Sequence, residues 1–182
     1  MRIITGLAKG RKIESPEGEN TRPTGGRVKE GLFSAIQFDI PAARILDLFA
    51  GSGQLGLEAL SRGAKSCVFA ENDRSCQEIL RKNIKNTGFE EVSKLIPGDA
   101  LRFLLSCREK FDIIFIDPPY KSGLYGDILD KIQDRLSDSG LAAFESGIKE
   151  DFPERAGRLF LSRSYRYGKT KITIYKKDGQ KE

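Results

Sequence analysis

The 182-residue chain has no histidine and no tryptophan, a single methionine and only three cysteines, and it nowhere approaches a long apolar run. Without histidine, Ser-His-Asp and Cys-His chemistry is excluded and a zinc site loses its commonest nitrogen ligand. Cys67, Cys76 and Cys107 are odd in number and lack CxxC spacing, so they read as reduced thiols rather than as a disulfide framework or a metal cluster. No stretch reaches the roughly 18 apolar residues of a membrane span, and no charged-then-apolar leader stands at Met1. The expectation is a cytoplasmic protein with no membrane and no metal.

The 38% hydrophobic content suits one globular domain with a full core. Residues 1–182 are read as a single domain, with 1–26 a β-hairpin and loop extension and 27–182 the core with its leading helix. Charge is unevenly spread. Residues 1–29 hold seven basic and three acidic side chains (+4), residues 30–154 fifteen and twenty-one (−6), and residues 155–177 eight basic and none acidic (+8). An acidic middle between two basic ends implies two kinds of ligand, the ends having the character of a phosphate-binding surface.

Arg2-Ile3-Ile4 and Arg11-Lys12-Ile13, separated by glycines, read as a small hairpin. Val28, Leu32, Phe33 and Ile36 fall at helical spacing before Pro41. From Arg44 an alternation begins that marks a parallel sheet flanked by helices, with strands over 45–49, 67–70, 95–96, 111–116 and 141–144 and helices after the first four, the last over 124–136. The segments 159–164 and 171–175 are joined by too short a link for a helical crossover, so they pair antiparallel.

The run from Phe111 to Ile116 reads as a strand buried on both faces, ending in Asp117-Pro118-Pro119-Tyr120. An acid at the carboxyl end of such a strand points into the crevice where open α/β sheets bind ligands. The prolines hold the following carbonyls in place, and Tyr120 offers a flat face beside them. The set suits a planar group with an exocyclic amine: Asp117 and the Pro118 carbonyl accept its two N–H bonds and Tyr120 stacks on its ring. Asp-Pro-Pro is also a common way simply to end a strand.

Asp47-Leu48-Phe49-Ala50-Gly51-Ser52-Gly53-Gln54-Leu55-Gly56 places a GxGxxG turn after the first strand, with Glu71 twenty residues after Gly51 to accept both hydroxyls of a ribose. A nicotinamide dinucleotide fits this pattern. Asp47 argues instead for a cationic cofactor, since a carboxylate there opposes a pyrophosphate and favours an ammonium. Asp99, followed by Ala100, can accept from an adenine amine, cap a helix, or do both.

In order and spacing, Asp47–Gly53, Glu71, Asp99 and Asp117–Tyr120 resemble the class I S-adenosylmethionine-dependent methyltransferases that modify amino groups. More narrowly, Met1-Arg2-Ile3-Ile4 with Gly10-Arg11, Arg22-Pro23-Thr24, Arg27-Val28-Lys29-Glu30, the stretch from Leu46 to Ala64 and Tyr167-Gly168 make the chain similar to the bacterial 16S ribosomal RNA guanine-N2 methyltransferases of the small subunit methyltransferase D family. Gly25-Gly26 stands where that family usually has Thr-Asp, and Asn72 where a charged residue often follows the ribose-binding acid.

The resemblance implies a Rossmann-like, seven-stranded, mostly parallel sheet with an antiparallel last strand. It implies S-adenosyl-L-methionine held by Asp47, Phe49, Gly51, Ser52, Gly53, Glu71, Asn72, Asp99 and Ala100, and catalysis at Asp117, Pro118, Pro119 and Tyr120. The substrate would be 16S rRNA or the assembling small subunit, contacted through Arg2, Lys9, Arg11, Lys12, Arg22, Thr24, Arg27, Arg166 and Lys169 by a monomeric enzyme. The N-terminal hairpin is expected to be a docking element whose removal leaves the fold intact. A DNA adenine-N6 or cytosine-N4 amino-methyltransferase and a non-catalytic RNA-binding protein on the same fold are the alternatives.

Overall fold

Consecutive apolar positions demand burial on both faces, and the strands richest in them lie at the centre of one sheet. The structure is a computed structural model describing residues 1–16, 25–119 and 123–178. The parallel strands are β1 (Arg44–Leu48), β2 (Ser66–Glu71), β3 (Ser93–Pro97), β4 (Phe111–Ile116) and β5 (Leu136–Gly147). They are followed by β6 (Arg155–Ala156), β7 (Leu159–Tyr167) and β8 (Thr170–Lys177), and the sheet order is β3-β2-β1-β4-β5-β8-β7-β6. β8 runs antiparallel between β5 and β7, as the short link at Gly168 requires.

Seven of these eight strands match the expected set, and the eighth, β6, is a two-residue edge strand too short to leave a pattern in sequence. The helices are α1 (Gly26–Ala35), α2 (Gln54–Ser61), α3 (Arg74–Thr87), α4 (Ala100–Ser106) and α5 (Tyr125–Ile132). The last ends earlier than its apolar spacing suggested. Leu136 continues the period of Ile128, Leu129 and Ile132, yet it pairs with Phe111 as the start of β5, before a register shift that ends at Leu141 opposite Ile113. Leu136 is buried in either arrangement, so periodicity could not mark the boundary.

Alternation divides the core. Ile45, Phe69, Ile113, Phe115, Leu141, Ala143, Ile172 and Ile174 pack with Leu32 and Phe33 of α1, Leu57 of α2 and Leu80 of α3. Leu46, Leu48, Ile114, Ile116, Ala142, Phe144 and Tyr175 pack with Leu104 of α4 and Ile128 and Ile132 of α5. Chain order reverses at β1, which lies between β2 and β4, and that reversal opens a crevice above the carboxyl ends of these strands.

The N-terminal hairpin forms, with a bridge between Arg2 and Lys12 and hydrogen bonds from Ile3 N to Arg11 O and from Gly10 N to Ile3 O. It is not a detachable element. Ile3, Ala8 and Ile13 are buried in the same cluster as α1, α2 and α3. Glu58 of α2, with no exposure, accepts the backbone N–H groups of Ile4 and Thr5 and pairs with Arg62 at 2.9 Å and with buried Lys29 of α1 at 3.4 Å. Lys29 Nζ also donates to Arg2 O, and burial holds its pKa below the usual lysine value. Ser61 Oγ donates to Thr5 O and accepts from Ala8 N. The expectation that residues 1–13 can be removed harmlessly is therefore corrected: three apolar side chains and the ligands of a buried carboxylate would go with them.

Removing one partner of a buried ion pair typically costs about 3–5 kcal/mol. Glu58→Ala should lower the unfolding free energy by that amount in urea titrations, and deletion of residues 1–13 should abolish a cooperative transition. A loss below about 1 kcal/mol for Glu58→Ala would show the hairpin to be loosely attached.

Candidate functional site

Asp47 sits one residue before the end of β1, and 3% of its surface is exposed. Its Oδ2 accepts from Gly56 N at 2.9 Å, which ties the strand to the first turn of α2. Burial pushes its pKa up to about 8, opposed by the Gly56 N–H and reinforced by the negative charge of Glu71. Phe49 then takes φ 61°, a left-handed conformation unusual for a bulky residue, and Gly53 takes φ 78° as α2 begins. A side chain at Gly53 would meet Leu80 Cδ1 at 2.3 Å, so the loop closes against α3 only with glycine there. Over Gly51, by contrast, a Cβ would meet nothing within 4 Å. The loop backbone is open on that side.

Glu71, at the end of β2, holds the loop from across the crevice: its Oε2 accepts from Gly51 N at 2.7 Å and its Oε1 from Asp73 N at 2.8 Å. A carboxylate has about four acceptor positions, so two remain for hydroxyl groups. Asp99 caps α4, with Oδ1 accepting from Arg102 N at 2.9 Å, and its exposed side chain keeps a second oxygen for another donor; Ala100 beside it is buried. Asn72 is exposed and Ser52 buried. The open glycine turn, the two remaining acceptor positions of Glu71, the second oxygen of Asp99 and the buried carboxyl group of Asp47 are of the kind S-adenosylmethionine needs, and these residues could hold it.

Asp117 follows β4 directly and is half-buried. Burial, then the nearby carboxylates of Glu145 and Asp47, holds its pKa well above the ordinary carboxylate range. Pro118 is buried and Pro119 exposed, while Tyr120 lies outside the described residues, as do Arg22 and Thr24. A hollow of about 280 Å³ lined by Asp39, Ala42, Asp112 and Leu141 is at the opposite edge of the sheet, at the amino ends of β1 and β4, and holds none of these groups.

The remaining basic candidates, Arg2, Lys9, Arg11, Lys12, Arg27, Arg166 and Lys169, are all exposed, and none is ion-paired among the described residues. Arg2 and Arg11 spend one N–H each on the carbonyls of Gly10 and Asn86. The turn between β7 and β8 brings Arg166 and Lys169 to the end of the sheet where β5 finishes, since Gly147 faces Thr170. Much of the +8 of residues 155–177 is spent internally: Arg155, Arg158, Lys176 and Lys177 pair with Asp178, Asp134, Asp39 and Asp138.

Two residues escaped the sequence reading. Asn83 of α3 is fully buried, accepts from Glu14 N, and donates to Glu14 O and Ser52 O, each at 2.9 Å, so it fastens the segment after the hairpin to the glycine loop. Glu145 lies in β5, 6% exposed, one residue past the pair Ile116–Phe144. Asn83 is one polar residue in an amphipathic helix and left no signal. Glu145 did leave one, an acid directly after the apolar run from Leu141 to Phe144.

Comparison with known proteins follows the same lines. The sequence model of the family described as Conserved hypothetical protein 95 matches residues 1–176. "Putative rRNA methyltransferase YlbH" of Bacillus subtilis is 38% identical over 184 residues, covering 98% of this chain and 100% of the relative. "Ribosomal RNA small subunit methyltransferase D" of Escherichia coli is 34% identical, covering 100% and 92%. The solved structure "Putative methyltransferase yhhF from Escherichia coli" superposes with a TM-score of 0.87 at 34% identity over 99% of both chains.

Asp47 makes the stability of the ligand-free protein depend on pH. The ordinary carboxyl value of 3.8 applies unfolded and about 8 folded, so between them the folded state retains a proton that the unfolded chain releases. Stability from this group is complete below about pH 4 and falls as pH rises toward 8. Asp47→Asn should flatten that slope and leave the protein more stable than wild type at pH 8 in denaturant titrations, while weakening S-adenosylmethionine binding by at least about tenfold in calorimetry.

Proposed function

Because the chain belongs to the Conserved hypothetical protein 95 family, we propose that it transfers a methyl group from S-adenosyl-L-methionine to the exocyclic N2 of a guanosine in 16S rRNA, in free RNA or in the assembling small subunit. The observation that carries this reading is the placement of Asp117: it ends β4 beside the glycine loop, across the reversal of strand order from Glu71, with Pro118 immediately after it. The relatives named for ribosomal RNA methylation and the unpaired basic side chains support RNA as the partner.

Bound at the loop, the cofactor supplies an electrophilic methyl group on a sulfonium. The chain's part is to bring an amine to it and take up a proton. The lone pair of N2 is delocalised into the guanine ring and nucleophilically weak. When the Asp117 carboxylate and the Pro118 carbonyl accept its two hydrogens, the lone pair localises toward the methyl, and alignment provides most of the remaining acceleration. A methyl–sulfur bond breaks, a methyl–nitrogen bond forms, and the N2 proton leaves toward Asp117. The raised pKa of Asp117 makes its ionised form the stronger base. The guanine must leave its stack to reach the crevice, and Tyr120 supplies the surface on which it then stacks.

The deciding measurement is tritiated methyl transfer to rRNA from cells lacking this protein, with the product nucleoside identified; N2-methylguanosine is expected. Asp117→Ala should abolish transfer with cofactor affinity nearly unchanged, because positioned acid–base groups are worth about 10² to 10⁴ in rate. Turnover above about a hundredth of wild type would remove Asp117 from the chemistry. The wild-type rate should climb with pH as the elevated Asp117 carboxyl ionises. Tyr120→Ala should weaken base binding by about 1–3 kcal/mol and Tyr120→Phe far less, so equal losses would point to the hydroxyl instead of stacking.

A further inference from the structure

Resting on that reading, we propose that Glu145 is a base-reading residue that accepts the N1–H of the target guanine and so selects guanine over adenine and cytosine. Ile116 faces Phe144 in the parallel ladder, so Asp117, just past the end of β4, and Glu145, still within β5, stand at the same level. Neighbouring strands lie about 4.8 Å apart, which is within reach of adjacent donors on one edge of a base. Leu141 and Ala143 alternate with Glu145 and pack on the layer formed by α1, α2 and α3, as do Ile113 and Phe115 of β4. Asp117 and Glu145 therefore share a face.

The position of Glu145 is fixed from behind, where its carbonyl oxygen accepts from the Tyr125 hydroxyl at 3.2 Å. Its charge reaches Asp117, which it helps to hold protonated.

The chemistry of the bases makes this placement selective. On guanine, the amine at N2 is followed along the same edge by N1–H, a second donor. On adenine and cytosine, the ring nitrogen beside the amine is an acceptor and would confront a carboxylate lone pair to lone pair. One acid at Asp117 suits any exocyclic amine; a second acid beside it suits only an amine flanked by an N–H.

The test uses the full-length enzyme and an RNA in which the position methylated by wild type carries guanine or 2-aminopurine, which keeps the 2-amine but has an acceptor at N1. Wild type should prefer guanine by roughly 5- to 150-fold in kcat/KM, the discrimination of a matched base contact. Glu145→Ala should bring the two substrates within about threefold, and Glu145→Gln, which retains an acceptor and the volume, should restore part of the preference. S-adenosylmethionine affinity and thermal midpoint should be unchanged in Glu145→Gln. A Glu145→Gln variant that loses cofactor binding and both substrates equally, or a Glu145→Ala variant that keeps the wild-type preference, would overturn the assignment. The wild-type product nucleoside is read independently, so a product other than N2-methylguanosine refutes the parent function, whereas an unchanged guanine preference refutes only the role of Glu145.

Discussion

A single carboxylate without exposure, Glu58, is the constraint on which the rest depends. Two backbone N–H groups from the hairpin and two cations, Lys29 and Arg62, converge on it, joining three segments distant in sequence. Arg62 also lies over the Phe33 ring at 4.7 Å, so the same guanidinium that neutralises Glu58 presses α2 against α1. A buried charge satisfied on all sides enforces one arrangement, because any alternative leaves ions without partners. From this anchor the chain continues to Glu14, whose backbone Asn83 clamps to Ser52. Attachment of the hairpin and shape of the glycine loop are thereby one structural problem.

The crevice gathers acids of opposite duties. Asp47, Asp117 and Glu145 come from β1, β4 and β5, three adjacent strands, and each is near enough to raise the pKa of a neighbour or to have its own raised. Such an arrangement destabilises the empty site and favours ligands bearing positive charge or N–H donors, which a sulfonium cofactor and a guanine edge both provide. The left-handed backbone at Phe49 lies at the start of the glycine loop, beside the same acids.

Around that acidic centre the basic residues divide by role. Arg155 of β6, Arg158 just after it, and Lys176 and Lys177 of β8, paired with Asp178, Asp134, Asp39 and Asp138, hold the sheet's edge together, while Arg166 and Lys169 at the turn, with the hairpin's Lys9, Arg11 and Lys12, stay free of acids among the described residues. Net charge along the sequence therefore overstated the surface available to phosphates.

The sequence by itself determined the alternation of strands and helices, the antiparallel finish and the glycine loop, because each is written in local signals: apolar periodicity, turn residues and a link too short to cross the sheet. It also determined that Asp47, Glu71 and Asp117 lie at the carboxyl ends of parallel strands, on one side of the sheet, while the strand order that makes them neighbours came from the fold. Only the tertiary structure decided that α5 stops at Ile132, where burial of Leu136 was compatible with helix or strand. Only it decided that the hairpin is embedded, because Ile3, Ala8 and Ile13 are buried in the core shared with α1, α2 and α3, and the backbone of Ile4, Thr5 and Ala8 finds its partners some fifty residues away, at Glu58 and Ser61. The pairing of Glu145 with Asp117 is of this second kind: it follows from the register of two strands 28 positions apart, and register is fixed by packing of both faces at once, not by any stretch of chain read alone.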